Sequence, residues 1–282
     1  MSQNKVAFTL ILCTYKKDDP LHLLNCLDSI LAQTVLPDEM IIVKDGILTE
    51  PLEAVLTGFS FPNTLIYLAL PKNVTLGLAR AAGLSAAKHE WVALMDSDDV
   101  CLPERFETQL ALIHSNHNAD IIDIIGGQII EYDDIPGKAV SIRNVPITHE
   151  EILICAKKRN PFNAMTVMFK RSLALQAGNF RKLPGFEDYD LWMRMVKNGA
   201  RCANCPEVLV HARIGNGLYK RRSGLGYIRS EWRMQRNLRK LKITSRAEFI
   251  RNILTRIPVR LLPQKWLERV YARFSGRVAV SE

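Results

Sequence analysis

Several absences narrow the field before any motif is considered. No stretch approaches the ~18 consecutive apolar residues of a membrane span. The first apolar run, Val6–Cys13, gives way at once to Thr14-Tyr15-Lys16-Lys17 without a small-residue cleavage site. It reads as a strand rather than a leader peptide, so the chain is expected to remain in the cytoplasm. No low-complexity tract or internal repeat is present. Glycine is missing from Leu12 to Lys17, just where the first strand ends. That gap argues against a dehydrogenase, which needs G-x-G-x-x-G there, and against a nucleotidyltransferase, which needs a glycine-rich loop containing arginine. Cysteine is scattered over positions 13, 26, 101, 155, 202 and 205. Only Cys202 and Cys205 form a C-x-x-C pair, and Pro206 with a strand-like Val208-Leu209-Val210 follows instead of a helix. A structural zinc needs four ligands, so all six are expected to be reduced packing residues.

What is present has the rhythm of an α/β protein. Strands are expected at Val6–Cys13, Glu39–Lys44, Thr64–Leu70 and Glu90–Met95. Helices alternate with them, one carrying Leu21, Leu24, Leu27 and Leu31 on a face beside Leu23 and Ile30, the other running from Leu76 to Lys88 with Leu78, Ala82 and Ala86 in line. Such alternation predicts a mostly parallel, right-handed sheet with helices on both faces. Further on, a helix at Glu104–Ser115 leads to the apolar run Ile121–Ile130. Residues 131–160 are polar and turn-rich, followed by a strand at Ala164–Lys170, an amphipathic helix at Asp188–Lys197 and a last strand at Val208–Arg213. Helical patterning resumes from Tyr227 to Arg273, broken by Pro258 and Pro263. The expected organisation is a catalytic domain over residues 1–225, its nucleotide-binding half being 1–100 and its acceptor half 101–225, with a basic helical extension over 226–282.

Ligands of open parallel sheets collect at the carboxyl ends of the strands. Thr14-Tyr15, Asp45-Gly46 and Asp96-Ser97-Asp98-Asp99 fall at three such ends and should share one rim. Three carboxylates within four residues repel one another unless a cation sits among them. Mg²⁺ and Mn²⁺ suit a site of few carboxylates completed by phosphate oxygens, and they neutralise a departing diphosphate. Asp96, Asp98 and Asp99 are therefore candidate ligands, with His211 near the last strand end as a further ligand or a packed side chain. The competing reading of the acidic run is a capped or solvated turn.

The segments Leu12–Tyr15, Pro37–Gly46, Asn73–Arg80, Asp96–Asp99 and Gly185–Trp192 stand in an order and spacing that resembles family 2 glycosyltransferases of the GT-A fold, over Phe8 to Arg213. The D-x-D-D form and basic tail are similar to bacterial enzymes that extend lipid-linked sugars in O-antigen or exopolysaccharide assembly. The resemblance implies a UDP-sugar donor, inversion at the anomeric carbon and a Rossmann-like GT-A sheet. Thr14 and Tyr15 would then contact uracil, Asp45 would accept its N3–H, and Asn73, Gly77, Arg80 and Asp96 would border the nucleotide. Glu187 and Asp188 become the acceptor-side carboxylates, with Asp188 as general base and Glu187 or Asp190 as alternatives. Trp192 is assigned to the acceptor side. Asp188 is also placed to cap a helix whose Leu191, Trp192 and Met195 form a core stripe.

Charge is distributed unevenly. Residues 211–282 carry 18 Lys/Arg against 4 Asp/Glu, while residues 1–210 carry 20 against 25. Lys220, Arg221 and Arg222, hinged by glycines, would close over a diphosphate. Beyond them, basic residues alternate with Phe249, Ile253 and Ile257, then with Trp266, Val270 and Phe274. That pattern suits an interfacial helix on anionic lipid, or an ordinary docked helix. A nucleic-acid partner would explain the tail but leave both acidic clusters idle.

Overall fold

The computed structural model describes residues 6–115, 122–133, 139–214, 223–261 and 277–279. Its first half is built from β1 (Phe8–Thr14), α1 (Pro20–Leu31), β2 (Glu39–Lys44), α2 (Glu50–Gly58), β3 (Thr64–Ala69), α3 (Leu76–Ala86) and β4 (Trp91–Asp96). The four strands are parallel in the order β3-β2-β1-β4. β1 and β2 are apolar almost throughout because both their faces are covered. Successive side chains divide between the faces: Ile11, Ile41 and Val43 join one core, and Phe8, Leu10, Leu12, Met40 and Ile42 join the other. β3 closes the edge and is only half-buried.

The helix faces differ from expectation. α1 is started by Asp19, whose Oδ1 accepts from the Leu21 and His22 amides, with Pro20 at the first helical position. It buries Leu23, Cys26, Leu27 and Ile30, whereas Leu21, Leu24 and Leu31 face outward. α3 buries Gly77, Ala79, Arg80, Gly83 and Leu84, and Leu78 and Ala86 are exposed. Gly83 brings α3 down onto β1 and β2: a Cβ there would stand 2.8 Å from Ile11 Cγ2.

Past β4 come β5 (Val100–Cys101), α4 (Arg105–Ser115), β6 (Ile124–Tyr132), β7 (Ala139–Arg143), α5 (His149–Ala156), a 3-10 turn at Ala164–Thr166, β8 (Met168–Lys170), α6 (Arg171–Gln176), α7 (Glu187–Lys197) and β9 (Cys202–Arg213). Then follow α8 (Gly224–Lys240), α9 (Arg246–Val259) and β10 (Arg277–Ala279). Here the sheet turns antiparallel, since β8 runs against β4 and β6, β7 against β6, and β10 against β7, while β9 lies parallel to β6. The parallel reading therefore holds for β1 to β4, and the complete sheet is mixed. The polar segment 131–160 contains β7 and α5, the latter started by a reciprocal Thr148–Glu151 capping box. The strand expected at Val208 begins at Cys202 and is followed by β10, so it is not the last, and both cysteines of the C-x-x-C pair lie inside it, buried and unbridged. All six cysteines are free.

α8 and α9 dock on the body. Met234 and Leu238 enter the same core as Trp192. Asn237 donates to Asp190, Asn252 to the Lys157 carbonyl, and Arg256 to the Lys158 carbonyl. The buried Glu231 of α8 accepts from Arg256 Nε at 2.6 Å and Arg260 Nη2 at 3.0 Å. The docked-helix reading thus describes residues 223–261, and Trp266, Val270 and Phe274 lie outside the described residues. Among the described residues no helix is long and apolar enough to cross a membrane.

Candidate active site

The ends of β1, β2 and β4 lie side by side, with Thr14 level with Lys44 and Cys13 with Asp96, so the three polar signals do share a rim. The Asp45 amide donates to the Thr14 carbonyl at 2.8 Å. The buried Asp45 carboxylate accepts from Asn73 Nδ2 at 2.9 Å and from the Val74 amide at 2.7 Å. Asn73 therefore serves the site through Asp45. Gly46, at φ +89°, must be glycine twice over, since a Cβ would also stand 2.7 Å from the Asn73 nitrogen. This clasp delivers the chain to Thr75, held at φ +100°, where side chains rarely go. Such strain just before α3 marks a segment fixed by its surroundings.

Asp18 is a site residue the sequence did not reveal. Its Oδ2 accepts from the Tyr15 amide at 3.1 Å and from Ser97 Oγ at 2.8 Å, tying the β1 loop to the acidic run. Burial pushes its carboxyl above the ordinary range, against those hydrogen bonds. Its partners, Tyr15 and Ser97, include one 79 positions away, so no local pattern singles it out.

The acidic run divides. Arg80, 3% exposed, reaches from α3 to Asp96, with Nη2 2.5 Å from Oδ1. It is an interior counter-charge, not a solvated helix face. Asp98 is half-exposed, and its carbonyl accepts from the Tyr132 hydroxyl. Asp99 turns inward at 2% exposure, and its Oδ1 accepts from the Arg213 amide at 2.8 Å. Burial foremost, then the charges of Asp98 and Asp96, push its carboxyl well up. Asp99 therefore fastens β9 through its bond to Arg213. His211 stands opposite Val100 between β5 and β6, half-buried, and burial lowers its basicity. Among the described residues no three His, Cys, Asp or Glu side chains converge as a cation cage. Asp96 and Asp98 remain, a pair that fits a Mg²⁺ or Mn²⁺ ion completed by substrate phosphates.

On the acceptor side, Gly185 at φ +79° turns the chain into α7. Phe186 occupies the cap position without a side-chain cap, so Asp188 lies in the first turn and is not the cap. There the helix dipole favours the carboxylates of Glu187, Asp188 and Asp190. Glu187 is buried and accepts from the Phe186 amide at 3.0 Å. Burial and then Asp188 push its carboxyl up, and Arg80 opposes them. Asp188 is half-exposed, with Oδ2 accepting from Asn160 Nδ2 at 2.7 Å. Asp190 is committed elsewhere, to Arg194 and Asn237, both at 2.9 Å. Gly77 acts through packing, because a Cβ there would stand 2.6 Å from the Arg181 carbonyl and 2.9 Å from Glu187 Cβ. Its absence lets α3 meet α7 and brings Arg80 near Glu187. Trp192 is fully buried, its ring edge-on to Phe169 at 4.9 Å and Phe180 at 5.9 Å. It is a core residue and cannot touch an acceptor.

Both acidic centres open into one cleft of about 780 Å³. Arg80, Asp96, Glu187 and Asp188 line it together with Tyr227, Arg256 and Arg260 of the C-terminal segment. Tyr227 packs on Phe186 with ring centres 5.1 Å apart, and Arg260 lies over the Tyr227 ring at 4.7 Å. Lys220, Arg221 and Arg222 lie outside the described residues.

Comparison with known proteins identifies the family and the fold. The profile described as glycosyl transferase family 2 matches residues 9–174. The amylovoran biosynthesis glycosyltransferase AmsE of Erwinia amylovora is 36% identical over 94% of this chain and 98% of its own. A UDP-Gal:alpha-D-GlcNAc-diphosphoundecaprenol beta-1,3-galactosyltransferase of Escherichia coli is 35% identical over 98% of this chain and 99% of its own. Among solved structures, S. aureus TarS 1-349 in complex with UDP-GlcNAc superposes with a TM-score of 0.66 at 18% identity, covering 95% of this chain and 73% of that one. That likeness establishes the GT-A fold. With more than half of its length matched by the profile, the chain belongs to glycosyl transferase family 2.

Proposed function

We propose that this glycosyltransferase moves a sugar, with inversion, from a UDP-sugar to a sugar carried on a lipid diphosphate, in the assembly of a bacterial surface polysaccharide. The observation that carries the reading is the shared cleft, lined by both the Arg80–Asp96 pair and Asp188. The relatives named for amylovoran synthesis and for a diphosphoundecaprenol-linked acceptor support the polymer and the acceptor class.

In this reading uracil lies at Thr14 and Tyr15, and Asp45 accepts its N3–H. The two bonds already made by Asp45 leave each oxygen a second lone pair. Asp96 and Asp98 would hold Mg²⁺ or Mn²⁺, which supplies charge neutralisation for the departing UDP. The mannosyltransferase PcManGT of Pyrobaculum calidifontis, of the same fold, is described with GDP-Man and Mn²⁺. Asp188 takes the proton of the acceptor hydroxyl as its oxygen attacks the anomeric carbon from the face opposite the leaving diphosphate. Asn160 orients that carboxylate. Arg80 aims the Asp96 carboxylate. Glu187, buried behind Asp188, sets the local charge. The enzyme works peripherally on the cytoplasmic membrane face, where such an acceptor resides. In support, Ile250, Leu254 and Leu261 are exposed on and just beyond α9, and Trp232 is exposed on α8.

The test is transfer from a panel of UDP-sugars, with Mn²⁺ and with chelator, to sugar-diphosphate-alkyl acceptors, with the anomeric configuration of the product read by NMR. Product of inverted configuration, formed only with metal, is expected. Retained configuration would remove Asp188 as the base, and undiminished transfer in chelator would remove the metal.

A further inference from the structure

We infer that Asn252, a buried residue of α9 that does not line the cleft, is a positioning residue for transfer, holding the turn from which Asn160 aims Asp188. This rests on the role given to Asp188 above and extends it to a side chain outside the cleft.

α5 ends at Ala156, and carbonyls at a helix end have no partner within the helix. Three consecutive ones are taken up here by side chains from other elements. The Ala156 carbonyl accepts from the Tyr189 hydroxyl of α7, the Lys157 carbonyl from Asn252 Nδ2 at 2.8 Å, and the Lys158 carbonyl from Arg256 Nη1 at 2.7 Å. Asn252 and Arg256 stand one turn apart on α9, so they reach neighbouring carbonyls from one face.

Just beyond, Asn160 donates through Nδ2 to Asp188 Oδ2 at 2.7 Å, while its Oδ1 accepts from the Phe162 amide at 3.2 Å. The second bond fixes the amide with its NH₂ group toward the carboxylate. Pro161 confines the backbone of Asn160 to extended conformations, and the Pro161 carbonyl is held by Asn204 Nδ2 at 3.2 Å. The turn is thus pinned by β9 after Asn160 and by α9 before it.

Asn252 is itself oriented from a distance. Gln235 Nε2 donates to the buried Glu231 Oε1 at 3.1 Å, which leaves Gln235 Oε1 to accept from Asn252 Nδ2 at 3.0 Å. The remaining Asn252 hydrogen goes to Lys157, and Asn252 Oδ1 accepts from Arg251 Nη2 at 3.3 Å. A carboxylate on α8 therefore directs a chain of buried hydrogen bonds that ends on the turn beside the base. A base must stand within about 2.6–3.2 Å of the proton it takes, and a displacement of about 1 Å can cost on the order of 10²-fold in rate. Relaxation of this turn is accordingly felt in turnover rather than in binding. Arg256 lines the cleft, so a change there would mix positioning with contact to substrate, whereas Asn252 isolates the positioning.

The experiment measures kcat, acceptor KM and UDP affinity for wild type, Asn252→Leu, Asn160→Ala, their double variant and Asp188→Asn. The substrates are the UDP-sugar and alkyl sugar-diphosphate pair that turns over in the panel above. Rates are expressed per UDP-binding site, so unfolded protein does not count. Asn252→Leu is similar in size and removes both donors. Its kcat is expected to fall about tenfold, with acceptor KM and UDP affinity unchanged. In the Asn160→Ala background the same substitution should lower kcat no further, the non-additivity of residues that act through one another. Gln235→Met spares the Lys157 bond but frees the Asn252 amide; it should lower kcat less, again alone, and it carries the test if Asn252→Leu does not fold. Wild-type kcat in the Asn252 or Gln235 variant, a loss that multiplies with that of Asn160→Ala, or a change in KM without one in kcat overturns the positioning role and leaves Asp188 in place. Wild-type transfer by Asp188→Asn overturns the base, and the positioning role with it.

Discussion

Arg80 Nη2 lies 2.5 Å from Asp96 Oδ1, so a cation delivered by α3 meets an anion at the end of β4 in the wall of the cleft. The guanidinium is buried and the carboxylate about a quarter exposed. Arg80→Met is expected to cost about 3 kcal/mol, the lower end for breaking a buried pair, because Asp96 retains some water. Thermal unfolding and UDP titration check it. Stability and UDP affinity should fall together, and a loss of stability alone would make the arginine purely structural.

The division of the acidic run predicts opposite behaviour for neighbours. Asp98→Ala should lose metal-stimulated turnover by about 10²-fold or more, with a stability change within about 0.5 kcal/mol. Asp99→Asn keeps an acceptor for the Arg213 amide and should retain the wild-type response to Mn²⁺. Metal titrations of turnover on the two variants distinguish them, and equal losses would return Asp99 to the ligand set.

Asp188→Asn removes the proposed base and preserves its shape. Transfer should fall by about 10²-fold or more, and UDP affinity should persist. The new amide oxygen still accepts from Asn160, so the melting temperature should hold. Single-turnover kinetics beside UDP calorimetry measure the two effects, and parallel loss of both would move Asp188 to the donor side.

The buried Glu187 gives a pH signature. Burial first, and the charge of Asp188 second, raise its carboxyl above the ordinary range. The folded state therefore holds this proton more tightly than the unfolded chain does. Its contribution to stability is complete below the ordinary carboxylate range and is lost as pH rises through the folded value. Glu187→Gln escapes that loss. Its melting temperature should match wild type in acid and exceed it near neutrality, a crossover that a pH series of thermal melts would show.

The C-terminal helices call for surface substitutions. Truncation before Ser245 would remove Arg256 and Arg260 from Glu231, leaving a buried charge at a cost of about 3–5 kcal/mol. Ile250→Ser with Leu254→Ser leaves those contacts intact, since both side chains are exposed. The double variant should bind anionic vesicles at least about tenfold more weakly, from the apolar area lost. Wild-type binding should weaken with salt. Sedimentation with neutral and anionic vesicles is the measurement, and equal binding by both proteins would take α9 off the membrane.

How legible these features were depended on how local their causes are. β1 and β2 were plain because double coverage demands an unbroken apolar run. α1 was plain as a helix but not in its facing, because leucines occur around most of its circumference and the sheet selects Leu23, Leu27 and Ile30. α5 carried a readable signal, Thr148 with Glu151, hidden in an otherwise polar segment. The acidic residues stood out as clusters, yet their separate surroundings were set by distant partners, Arg213 for Asp99 and Asn237 for Asp190. Asn160 could not be found locally, since its importance lies in touching a residue 28 positions away.

The bond from Glu231 to Arg256 and Arg260 spans 25 and 29 positions, and all three belong to the segment that lines the cleft. The two helices are therefore expected to open and close as one cooperative unit, since parting α9 from α8 strands the Glu231 carboxylate in the interior and takes Arg256 and Arg260 off the cleft together.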